Sequence, residues 1–249
     1  MRKQKKEVDK MNSFGATDKG LRRKENQDRF KIAEKDNSLL AVVCDGIGGN
    51  KAGDVAASLT CEVMENYYKN NYDGQDIISW LSHVVEIVNR AVLERSQEEE
   101  SYSGMGTTLV SCLITDDKTY VINVGDSRCY ILDKNDRLVQ VTNDHTVLNE
   151  LVQNKGIDYQ IASKFVGKNV ISRAIGIIED IEADIYQLNG EDYKMILLCS
   201  DGLHGYVEED VIRTILLQES TLEEKCQKLV DLANDAGGYD NVTVVLSQR

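Results

Sequence analysis

The sequence predicts an α+β fold in which sheets are covered by helices rather than threaded through repeated βαβ units. Helix-like segments come in two pairs separated by blocks of strands. The strands read as apolar on both faces, as in TTLVSCLI at 107–114 and MILLCS at 195–200, which fits sheets packed between two layers. No Gly/Ser-rich or Pro-rich linker divides the 249 residues, which contain no proline. One domain over 12–249 is therefore expected, behind a frayed basic tail at 1–11 that lacks the apolar stretch of a signal peptide.

Strands are expected at 12–18, 28–34 and 39–44. The third, LLAVVC, runs into Asp45 and the glycines Gly46, Gly48, Gly49 and Gly53. An Asp-Gly pair often marks a hairpin, but the next segment is helical: Val55, Leu59, Val63 and Tyr67 share one face of a helix over 51–70. A glycine loop before a helix can cradle phosphate in a nucleotide fold, and here the spacing rejects that. Lys51 stands where a dinucleotide fingerprint needs glycine, and it lies between Asn50 and Ala52 where a P-loop needs Gly and Ser/Thr. A second helix, 75–96, carries Ile77, Leu81, Val84, Val88 and Ala91 along a stripe widened by Trp80 and Ile87. The acidic run at 98–101 reads as a solvated loop. Strands follow at 106–115, 118–124 and 127–132, then a mostly polar loop at 153–169 and strands at 183–189 and 194–200. Helices at 207–217 and 221–235 come next, the latter opened by the capping-box spacing of Thr221 and Glu224 with Leu222, Cys226, Leu229 and Ala233 on one face. A last strand is expected at 241–247.

The formal net charge of −13 sets up a field that repels polyanions, so neither nucleic acid nor an acidic membrane surface is expected as a partner. No apolar run approaches a membrane span. Six cysteines without CxxC spacing, most of them inside apolar runs, read as small core residues of a reduced, cytoplasmic protein.

One grammar recurs: an apolar strand ends at an aspartate beside glycine or asparagine. It occurs at Asp45 (VCDG), Asp126 (NVGDSR) and Asp201 (LCSDG); in GYDNV, Asp240 opens a strand instead, and NQD adds Asp28. Carboxylates that converge at the mouth of an apolar core repel one another unless something positive sits among them. The candidate ligands are hard oxygens, and His83, His145 and His204 are scattered, so magnesium or manganese fits better than zinc. Two such ions would lower the pKa of a shared water, whose hydroxide attacks a phosphoryl group in line. The remaining phosphoryl oxygens need a grip such as the planar fork of arginine, and Arg22 and Arg23 stand shortly before Asp28.

In RRKENQD, VVCDGIGGNKAGDVAAS, MGTTLV, NVGDSRCY, VTNDHT, ISRAIG, LLCSDGL and GGYDNVTVV, in that order from Phe14 to Leu246, the sequence resembles the metal-dependent Ser/Thr protein phosphatases (PPM, protein phosphatase 2C-like) of compact bacterial type. The resemblance implies a four-layer α-β-β-α sandwich, two antiparallel sheets flanked by paired antiparallel helices. It implies two Mn2+ or Mg2+ ions, with Asp45 bridging both, the Gly46 carbonyl binding one, and Asp201 and Asp240 as further ligands. Asp28 matches an outer carboxylate acting through water, Arg23 the substrate-phosphate arginine, and Asp126 a residue that with Asp201 holds a third, weaker ion. The loop at 153–169 corresponds to the flap.

Gln27 stands where many relatives carry a glutamate ligand, and Ile47 where eukaryotic members have a histidine proposed as general acid. For His145 two roles stand open, assisting the leaving group or orienting its loop. His204 replaces an aromatic and is given no role. Arg128 is expected as an ion-pair partner inside the aspartate cluster rather than on substrate, and Thr107 and Thr108 on a strand supporting the site. The function implied is hydrolysis of phosphoserine and phosphothreonine in proteins by direct attack of a metal-bridging hydroxide, opposing a Ser/Thr kinase, by a monomer. The rivals are a regulatory phosphatase dedicated to one phosphoserine partner and a binding-only pseudophosphatase.

Overall fold

A computed structural model of the chain describes residues 11–48, 52–167 and 170–248. Its elements are β1 (Asn12–Asp18), β2 (Asp28–Lys35), β3 (Ser38–Ile47), α1 (Ala52–Asn71), α2 (Ile77–Glu98), β4 (Gly106–Thr107), β5 (Leu109–Ile114), β6 (Lys118–Val124), β7 (Arg128–Asp133) and β8 (Leu138–Gln140). There follow α3 (Val147–Gln153), α4 (Tyr159–Ala162), β9 (Asp184–Asn189), β10 (Tyr193–Cys199), α5 (Asp201–His204), α6 (Glu209–Leu216), α7 (Leu222–Asp235) and β11 (Val242–Gln248). One sheet runs β1-β11-β10-β7-β8 and the other β2-β3-β5-β6-β9, with β4 paired to the end of β3. All the strand pairings are antiparallel.

Three apolar cores separate four layers. The first lies between the β3 sheet and the α1–α2 pair, built on Val42, Met64, Leu81, Val88 and Leu109. The second joins Leu197, Val244 and Leu246 to Ile212, Cys226 and Leu229 of α6 and α7. Between the sheets lie Ala41, Val43, Val110, Ile196 and Val245. Strand β5 is buried at every position because both its faces are covered. The chain thus forms the expected α-β-β-α sandwich. All six cysteines are buried and unbridged. Among the described residues no helix is long and apolar enough to cross a membrane.

The structure departs from expectation in several places. The deepest face of α1 is Ala56, Ala57, Thr60, Cys61, Met64 and Tyr68, one residue beyond the expected stripe. Its small residues let the helix lie close on the sheet, while Val55, Leu59, Val63 and Tyr67 pack at the margin, Tyr67 stacking on Trp80 of α2. The segment read as a loop at 153–169 contains α4, begun where the Asp158 side chain accepts from the Gln160 and Ile161 amides. Helices α3 and α5 and strand β8 were not expected. Residue 100 opens a short 3-10 turn instead of a loop. Of the expected frayed tail, 1–10 lie outside the described residues, as do Gly49, Asn50 and Lys51 of the glycine loop and residues 168–169; Met11 packs against the inter-sheet core.

Candidate active site

The site forms where strand ends from both sheets meet. In the antiparallel register of β2 and β3, Asp28 stands opposite Asp45, two like charges on neighbouring strands. Asp201 opens α5 directly after β10, Asp240 precedes β11, and Asp126 lies in the turn from β6 to β7. Buried Asp28 is gripped from the other sheet: Ser200 Oγ donates to its Oδ2 at 2.6 Å, and Ser200 Oγ in turn accepts from the Thr243 amide at 2.9 Å.

The strand carrying Asp45 is clamped as well. Thr107 Oγ1 and the Thr108 amide donate to the Asp45 carbonyl (2.8 and 2.9 Å), and Thr108 Oγ1 accepts from the Asp45 amide at 2.9 Å. Both threonines hold Asp45, Thr107 from β4 as expected and Thr108 from the break between β4 and β5 instead of from a strand. Gly46 has no room for a side chain, since a Cβ there would strike the Gly53 carbonyl of α1 and approach Gln27 O to 2.8 Å. Gly46→Ala should lower stability by about 1–3 kcal/mol, read as a lower urea midpoint at unchanged slope.

The carboxylates share one field. Asp45 is held well above the usual carboxylate range, by desolvation first and then by Asp28, Asp201, Asp126 and Asp240. Burial also raises Asp28, as do Asp201 and Asp240. Asp201 rises through burial and then Asp240. Burial and then Asp201 push Asp126 up to about 7. Against these, Arg23 NH2 meets Asp240 Oδ2 at 2.7 Å, with the arginine side chain 52% exposed. Among the described residues three buried carboxylate oxygens accept no hydrogen bond: Asp28 Oδ1, Asp126 Oδ1 and Asp201 Oδ1. Unpartnered hard acceptors in a raised-pKa cluster are the condition that a divalent cation relieves. No three His, Cys, Asp or Glu side chains among the described residues have the spacing to enclose an ion unaided. The donors on offer are hard carboxylate and carbonyl oxygens, which suit magnesium or manganese rather than zinc.

A sequence profile described as Protein phosphatase 2C matches residues 21–247. The chain belongs to the protein phosphatase 2C family. It is 36% identical over 237 residues to the serine/threonine phosphatase stp of Listeria monocytogenes, covering 94% of each chain. The crystal structure of serine/threonine phosphatase Stp1 from Staphylococcus aureus superposes with a TM-score of 0.88 at 31% identity, over 100% of this chain and 99% of that one. The catalytic domain of PstP in complex with two manganese ions superposes at 0.81 and 30% identity, over 96% of this chain and 97% of that one.

Within this protein phosphatase 2C chain several supporting residues were not foreseen. Asn241 staples the loop that carries the arginines: its Oδ1 accepts from the Gln27 amide at 2.8 Å, and its Nδ2 donates to Lys19 O and Glu25 O. His204, given no role beforehand, places Nε2 3.0 Å from the Asp126 carbonyl, so the Nε2–H tautomer donates there. Ser200 and Thr243 are the others. His145 orients its loop, accepting the Gly125 amide at Nδ1 (3.2 Å) while Nε2 stands 3.3 Å from Asp184 Oδ2, unaligned for a hydrogen bond. Arg128 forms an ion pair, but with Asp144 instead of one of the five clustered aspartates, a two-pronged contact at 2.8 and 2.7 Å. Arg128, Asp126, Asp144, Asp201 and His204 line a cavity of about 570 Å³ that reaches Asn149 and Gln153 of α3 and Tyr159 of α4.

Proposed function

We propose that the chain is a metal-dependent phosphatase acting on phosphoserine and phosphothreonine in proteins. The observation that carries this reading is the set of unpartnered buried oxygens on Asp28, Asp126 and Asp201 beside the half-exposed Arg23. Asp45, the Gly46 carbonyl, Asp201 and Asp240 would hold two Mn2+ or Mg2+ ions, with Asp28 acting at one remove through water, and Asp126 with Asp201 a third. Such ions, when bound, supply Lewis acidity that offsets phosphoryl charge and lowers the pKa of water.

The chain's own side chains do the positioning. Arg23 offers its planar fork to the phosphoryl oxygens, with one nitrogen tied to Asp240 and the side chain half exposed. Ser200 and the two threonines hold Asp28 and Asp45 in place. Retention of every matched aspartate favours turnover over a binding-only role. In this reading residues 12–249 act as one catalytic unit with 153–169 as its flap, in a cytoplasmic monomer that opposes a Ser/Thr kinase. Incubation with an aryl phosphate and a phosphothreonine peptide, in manganese with and without chelator, tests this. Hydrolysis of both only in the metal is the expected result, and metal-independent hydrolysis overturns it.

A further inference from the structure

We propose that Arg22, Tyr206 and Tyr239 form a binding edge for the residues flanking the phosphorylated side chain and select substrates with an anionic side chain there. This rests on the phosphatase reading above. The edge joins three separate parts of the chain: the loop between β1 and β2, the turn after α5, and the approach to β11. The rings of Tyr206 and Tyr239 stack at 5.4 Å with 26° between planes. They are 39% and 51% exposed, so both rings are open to a ligand. The Arg22 guanidinium lies 5.7 Å from the Tyr239 ring centre.

The edge is built, not incidental. The Leu21 and Arg22 amides both donate to Gly238 O, at 2.8 and 3.0 Å. Gly238 has φ +51°, and a Cβ on it would approach the Leu21 amide nitrogen to 2.7 Å. Only glycine lets the two segments come this close, so Arg22 and Tyr239 are held side by side before any substrate arrives. Tyr239 precedes Asp240, whose carboxylate takes Arg23, so the edge is continuous with the phosphate grip.

Charge decides what the edge takes. A chain of net charge −13 repels acidic peptides at long range, yet Lys19, Arg22, Arg23 and Lys24 cluster in six residues. Arg23 is engaged by Asp240, whereas Arg22 has no ion pair among the described residues. A guanidinium stacked on an aromatic face keeps its edge nitrogens free for a carboxylate or phosphate. The neighbouring phenol ring offers a flat surface for the peptide beside it.

The test uses the manganese-loaded full chain and two peptides, one with phosphothreonine flanked by glutamate and the other by glutamine, with an aryl phosphate as reference. The expected result is a preference of about two- to fivefold in kcat/KM for the glutamate peptide at low salt. It should vanish at high salt. Arg22→Ala and Tyr239→Ala should each remove the preference, and Tyr239→Phe, which keeps the ring, should retain it. A glutamine peptide that is cleaved equally well or better, or a preference unmoved in Arg22→Ala, overturns the proposal while aryl phosphate hydrolysis leaves the phosphatase reading standing. Absence of aryl phosphate hydrolysis overturns both.

Discussion

Asp45→Asn and Asp201→Asn should each reduce manganese-supported hydrolysis of an aryl phosphate by at least about a hundredfold, while the chain still folds. Each exchange removes one negative charge from the pocket, which weakens cation binding, and several kcal/mol of charge stabilisation in the transition state depend on those cations. The same exchange should leave the metal-free chain as stable as before or more so. Asp45 sits opposite Asp28 and feels three further carboxylates, so an amide of the same shape relieves repulsion that the fold otherwise tolerates. Activity and thermal midpoint measured on one preparation separate the two effects. Full turnover in Asp45→Asn, or unfolding of both variants, would contradict this account.

The second large effect is the response of the metal-free chain to pH. A carboxyl whose pKa is raised in the folded state keeps a proton that the unfolded chain has released. The folded chain then binds more protons, and stability falls as pH rises toward the folded pKa. Asp126, at about 7, and the elevated Asp28 and Asp45 all act in this sense. Two buried histidines act oppositely at lower pH: desolvation depresses both, His204 to about 4, so each disfavours folding while the unfolded histidine is charged, and stability rises with pH until that histidine is neutral too. At about pH 6.5 the unfolded histidines are still half charged and by about 7.5 both are neutral in either state, so over this interval their small opposing effect is outweighed by the three raised carboxylates. In chelator the thermal midpoint should therefore drop by roughly 5–10 °C between pH 6.5 and 8.5, and millimolar manganese or magnesium should restore it. A midpoint that is flat, or that rises with pH and ignores added metal, would show that the carboxylates do not share a pocket.

Much of the architecture was legible because the signals were long. Strands β1 and β6 were expected at their observed bounds, and the cap at Thr221 fixed the start of α7. Elements of three or four residues, β8 and α5, are too short to show a period. α3 and α4 hid in a polar stretch, although Thr146 and Asp158 are cap residues whose side chains accept from the first-turn amides. Asp45, Asp126 and Asp201 were visible through their place at strand ends beside glycine, whereas Asp28 and Asp240 stand where strands begin. Ser200, Thr243 and Asn241 were not: a single polar residue in an apolar run carries no meaning until folding brings it to a partner. Ser200 and Asp28 are 172 positions apart.

The buried cysteines carry a practical consequence. Burial pushes the Cys112, Cys199 and Cys226 thiols up to about 12 and holds Cys44 and Cys129 well above the ordinary thiol range. Such groups hold almost no thiolate at neutral pH and resist peroxide and alkylating reagents while the layers stay shut. Their labelling would thus time the transient parting of the sandwich, a clock already written into the native chain.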